Sequence, residues 1–159
     1  MKHLRAPNVQ CRLAVHTAGG SDVTKYIHLV FSDPPATVSD DDYNTWYDAH
    51  VQEILSVEGW ESATRYTIEG VVGADVGPPY RFLSLYELSC SPVEAVANLE
   101  AANMGSADSY VEKKDADEGK LPLPDWFTAI RFGSWNCTQV SERITLHITS
   151  GHITPGDQQ

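Results

Sequence analysis

The chain has 159 residues, one domain's worth, and a chain this size buries roughly 68–70% of its unfolded surface, so a core needs no metal or disulfide staple. Hydrophobic residues make up 42% and charged residues 21%, ordinary for a globular fold. Lys plus Arg number 11 against 22 Asp plus Glu, and the net charge of −11 argues against nonspecific nucleic-acid or anionic-membrane binding.

No apolar run approaches the roughly 20 residues of a membrane span. Cys11, Cys90 and Cys137 are too few for a secreted disulfide framework, and none sits in a CxxC or CxxH pattern. CRLAVH (11–16) is too short for a signal peptide and is broken by Arg12, so a cytoplasmic location is expected.

Residues 1–24 read as an irregular N-terminal arm, with CRLAVH as a short edge strand and Ala18-Gly19-Gly20-Ser21 as a hinge. Lys25 to Phe31 is strand-like and ends at Ser32-Asp33-Pro34-Pro35. Ser39 before three aspartates suits a helix N-cap and acidic first turn. Tyr43, Trp46, Tyr47, His50, Val51 and Ile54 then form one helical stripe, and Gly59 supplies the stop.

Trp60 to Glu69 predicts a second strand and Tyr80 to Ser89 a third, joined by a glycine- and proline-punctuated connection. Ser91-Pro92-Val93-Glu94 is a compact helix start, with Val93, Val96, Ala97 and Leu99 as the expected apolar face. Residues 104–125 are polar, with a short helix at Asp108 to Asp115. Trp126 to Val140 reads as a fourth strand bending at Gly133, and Arg143 to Thr149 as a fifth before a loose tail.

Strand, helix, strand, strand, helix, strand is the ferredoxin-like, split βαβ order of an α+β protein. Two helices cover one face of a four-stranded antiparallel sheet. The other face carries aromatic residues and calls for a second copy, so a homodimer is expected.

The run Tyr43-Asn44-Thr45-Trp46-Tyr47-Asp48-Ala49-His50, then Ile54 to Trp60, then Ala63-Thr64-Arg65-Tyr66, resembles the dimeric α+β barrel superfamily. It is most similar to the EthD-like branch, with its "F-N-x-W-Y-x-x-H … L-x-x-P-G-F … A-x-R-Y" pattern. Tyr43, Glu58 and Trp60 depart from that pattern. The resemblance covers about residues 25–140, leaving 1–24 and 141–159 as arms. It implies a pocket between sheet and helices for a small, often aromatic, ligand. Members include polyketide cyclases, small-ring isomerases and lyases, cofactor-free quinone-forming monooxygenases, dehydrochlorinases and haem-handling enzymes, so the fold alone does not choose the chemistry.

His50 is the first catalytic candidate, since an imidazole gives or takes a proton near neutral pH, and Trp46 and Tyr47 offer it an aromatic wall. Its plain alternative is a packing histidine bonded to a carbonyl. His28, mid-strand, is the second. By position it matches a first-strand histidine of some cyclases in the superfamily, and its alternative is a dimer-seam histidine. Tyr66 and Tyr86 are phenols able to hold an oxyanion, with core packing as the alternative. Trp46, Tyr47 and Trp126 are expected to wall the pocket. Arg65 and Arg131 could clamp a carboxylate or form salt bridges.

No metal or other cofactor is expected. His147 and His152 lie five apart without a ligand motif, and one axial histidine for haem is implied only by the resemblance. No GxGxxG, P-loop or GxSxG occurs. The expected function is a cofactor-free lyase, isomerase or cyclase acting on a small cyclic or aromatic metabolite by histidine acid–base chemistry. A non-catalytic ligand-binding dimer and a cofactor-free or haem-dependent monooxygenase are the alternatives.

Overall fold

The computed structural model describes residues 26–73, 75–116 and 122–142, with side chains given except at 113–116. The predicted N-terminal arm and edge strand, the fifth strand, the tail, His147 and His152 lie outside the described residues.

The elements are β1 (Tyr26–Asp33), α1 (Asp40–Leu55), β2 (Trp60–Thr67), β3 (Phe82–Leu88), α2 (Pro92–Ala101), α3 (Ala107–Ala116) and β4 (Arg131–Thr138). The strands form one antiparallel sheet in the order β2-β3-β1-β4, the ferredoxin-like arrangement.

Local chemistry sets the helices. Ser39 has extended backbone and its hydroxyl accepts from the Asp42 amide at 3.1 Å, so α1 begins where the capping signal stands. Ser91 and Glu94 complete a reciprocal capping box on α2, with Pro92 at the first turn. The apolar face of α2 differs from expectation. Val93 is 80% exposed, whereas Ala95 is fully buried. Ala95 faces Gly59, and its carbonyl accepts the Trp60 indole N–H at 3.0 Å, so the close approach needs a small residue there. Gly59 itself has φ +97°, and a Cβ on it would meet Cys90 Sγ at 2.6 Å.

The fourth strand is shorter than expected. Phe127–Ala129 forms a 3-10 turn, and pairing with β1 begins only at Arg131. Phe127 is buried in the same cluster as α1, so that segment serves helix packing instead of the sheet.

Tyr26, His28, Val30 and Ser32 of β1 sit opposite Leu88, Tyr86, Ser84 and Phe82 of β3. These positions face the helices, and the core cluster of Tyr43, Tyr47, Ile54, Phe82, Tyr86 and Phe127 fills the layer between. The alternate positions, among them Ile27, Leu29, Phe31, Leu83 and Leu85, form the other face. No described helix covers it, and it ends in Tyr66, 48% exposed, and Trp135, 54% exposed.

Candidate functional site

Between the sheet and the three helices lies a cavity of about 210 Å³. Its depth is made by Tyr47 and Ile54 of α1, Trp60 and Tyr86 of the sheet, and Tyr110 of α3, all buried. Its mouth lies where exposed Phe132 and Ser134 of β4 and the stretch 105–107 border it. A dry cavity of roughly 150 Å³ holds benzene, so this one suits a single ring with substituents. The walls are mostly apolar, and the polar groups are few.

His28 and His50 both line this cavity. His28 reaches it from the middle of β1, directly opposite Tyr86 on one side and Asn136 on the other. Its Nδ1 lies 2.6 Å from Asn136 Oδ1, and its ring stands edge-on to Trp60 at 5.2 Å. His50 reaches it from the buried stripe of α1. The Trp46 indole lies flat on its ring, with centroids 5.1 Å apart and planes at 9°. Its Nδ1 is 3.1 Å from the Tyr110 hydroxyl, which donates to Glu53 Oε2. Neither histidine is bonded to a backbone carbonyl among the described contacts.

Tyr86 and Tyr47 also line the cavity. Burial raises both phenols, and for Tyr86 the neighbouring Tyr47 raises it further. Tyr110 is raised by burial first and then by its bond to Glu53. All three therefore carry their protons at neutral pH and are hydrogen-bond donors.

Other expected site residues stand elsewhere. Tyr66 is on the opposite face of the sheet. A bulge between Trp60 and Ser62 inserts one residue, so Ala63 and Arg65 face the helices in place of Thr64 and Tyr66. Arg65 does not line the cavity. It bonds Asp48 at 2.6 Å and Asn44 at 2.7 Å, with its guanidinium 4.4 Å from the Tyr47 ring centroid. Arg131 is outside as well. It lies over Tyr80 and pairs with Asp33, which also holds Arg81 at 2.9 Å. Trp46 and Trp126 form a layer behind the cavity, Trp46 backing His50 and Trp126 packing on Trp46 and Tyr43.

Tyr110, Glu53, Asn136 and Phe132 were not anticipated. A signal for Tyr110 exists: it and Val111 are adjacent apolar residues in an otherwise polar helix. Glu53 lies three residues after His50 on one helix, a spacing that brings side chains together. No described group of three or more His, Cys, Asp or Glu could hold a metal ion. No helix among the described residues is long and apolar enough to cross a membrane.

No protein-family model matches the chain, and no curated protein sequence does. Solved structures do. The Arabidopsis thaliana protein At3g17210 is 13% identical, with 76% of this chain and 99% of that chain covered and a TM-score of 0.42. A dimeric ferredoxin-like protein of unknown function from Thermobifida fusca is 10% identical, with 78% and 99% covered and a TM-score of 0.41.

Proposed function

We propose that the protein is a cofactor-free lyase, isomerase or cyclase of the EthD-like kind, working as a homodimer on a small cyclic or aromatic substrate. The observation that carries this reading is the convergence of His28, His50 and Tyr86 on one apolar cavity of single-ring size. A histidine Nε2 takes a proton from carbon beside a carbonyl. The electron pair left behind moves onto the carbonyl oxygen, where a protonated phenol, Tyr86, donates a hydrogen bond. The second histidine, entering as the imidazolium, returns a proton at the product atom, and exchange with solvent restores both rings before the next cycle. The aromatic walls keep water from quenching the enolate. The apolar outer face of the sheet supports pairing with a second copy.

The test uses cyclohexanone as a probe in deuterated water. Protein-dependent exchange of its α-protons, lost in the His28→Ala, His50→Ala double variant, supports the acid–base reading. Ring ligands that bind tightly with no exchange of any of them would make the protein a carrier instead.

A further inference from the structure

His50 and Tyr110 line the cavity and Glu53 stands behind Tyr110, so a histidine, a phenol and a carboxylate lie in a row whose order of donors follows from valence. Glu53 Oε2 accepts, and the Tyr110 hydroxyl has only one proton to donate. With that proton committed to the carboxylate, the Tyr110 oxygen 3.1 Å from His50 Nδ1 offers a lone pair, not a hydrogen. Nδ1 must then be the donor. Glu53 itself is 3.7 Å from Nδ1, beyond direct hydrogen-bond reach, so Tyr110 is the necessary intermediary.

We propose that Tyr110 and Glu53 are positioning residues that fix His50 in the Nδ1–H tautomer, leaving the Nε2 lone pair as the base for a ligand in the cavity. This deepens the acid–base reading and rests on it. The free imidazole favours a proton on Nε2, which would leave the wrong nitrogen bare. As Nε2 takes a proton from substrate carbon, the ring becomes an imidazolium whose charge faces Glu53 through Tyr110. No proton needs to pass to Tyr110 or Glu53, and Tyr110 keeps its own. Burial and the carboxylate both hold Tyr110 protonated, consistent with its role as a fixed donor. The arrangement differs from a direct histidine–carboxylate pair because it spans two helices. Glu53 and His50 belong to α1, whereas Tyr110 belongs to α3, so the base is set only when α3 is docked.

The tautomer is read directly by ¹⁵N–¹H NMR of the full chain labelled in histidine, above the histidine titration range, with His50 assigned from His50→Gln. The expected wild-type signature is a proton on Nδ1. Glu53→Ala removes the carboxylate that takes the Tyr110 proton, and with that proton directed to Nδ1 the signature inverts to Nε2–H. Glu53→Gln keeps an acceptor for Tyr110 and retains Nδ1–H, which also guards against a Glu53→Ala chain that fails to fold. Tyr110→Phe loses the preference for Nδ1–H. Exchange of cyclohexanone protons falls about 10- to 100-fold in Glu53→Ala, the order found when the partner orienting a metal-bound histidine is removed. A wild-type His50 carrying Nε2–H, or a tautomer unchanged in both Glu53→Ala and Tyr110→Phe, overturns the proposal. Fixed tautomers with no exchange in any form overturn the acid–base reading and leave the relay standing.

Discussion

The two faces of one sheet are made by alternate residues of the same four strands, yet they meet different surroundings. The helix-facing set, Tyr26, His28, Val30 and Ser32 on β1, is matched across β3 by four buried residues. It is filled from within the chain, and where filling stops a cavity remains. The opposite set is apolar along the middle of β1 and β3, with Ser62, Thr64 and Glu87 toward the β2 side, and nothing among the described helices lies on it. Polar side chains with chemistry to offer, His28 and Tyr86, are on the face that is enclosed. The outer face has no histidine among its described residues, and its phenol, Tyr66, stands away from the cavity. A period of two residues thus separates a cavity-lining face from one that no described helix covers.

That separation predicts an order of effects. The largest is on the helix side. Tyr43 is fully buried against Tyr47, Phe82 and Trp126, and Tyr43→Ala should cost about 3–5 kcal/mol of stability in urea unfolding. A loss below about 1 kcal/mol would mean this layer is not the core. Next comes the outer face. Leu29→Asp with Leu85→Lys should halve the sedimentation mass by weakening association about thirty-fold or more, while cyclohexanone exchange per chain persists. A wild-type chain already monomeric at high concentration would break the comparison at its outer side.

Phe132 sharpens it at the cavity mouth. Because it is exposed, Phe132→Ala should leave stability within about 0.5 kcal/mol while weakening ring binding measured by calorimetry. The smallest effect lies at the end of β1. Burial raises the Asp33 carboxyl, but its bonds to Arg81 and Arg131 and their charges outweigh this and leave it below 3.8. A lowered carboxyl stabilises the fold above its unfolded value and loses that contribution as pH falls through the folded one. Below about pH 4, then, the wild type should lose stability more steeply with falling pH than Asp33→Asn, in acid-titrated thermal melts.

Much of the fold was legible in the residues. The aromatic stripe of α1 and its Ser39 cap, and the capping box of α2, are local signals that tertiary packing reinforced. The misreadings have one cause, which is that long-range packing overrode a local pattern. Tyr66 was expected beside Tyr86 as an oxyanion-holding phenol, and a single bulge residue at the start of β2 turns it to the other face. Trp126 to Ile130 has strand composition, but Phe127 is drawn inward against α1. Val93 has the better hydrophobicity, but only Ala95 fits beneath Gly59. Of the site, His28, His50, Tyr47 and Tyr86 were visible as residue types on interior faces. Tyr110 was not, because its helix is polar and its partner, Glu53, reads as an ordinary surface acid until α3 is set against α1.

The flat stack of Trp46 on His50 has an optical consequence. An indole in van der Waals register with an imidazole feels any charge that ring acquires, as a cation over its π face. Its emission then changes each time His50 gains or surrenders a proton. The protein carries its own dye beside His50, and a difference spectrum against Trp46→Phe would isolate that signal from the other tryptophans. A ligand that changes the charge on His50 could then be followed in real time without a label.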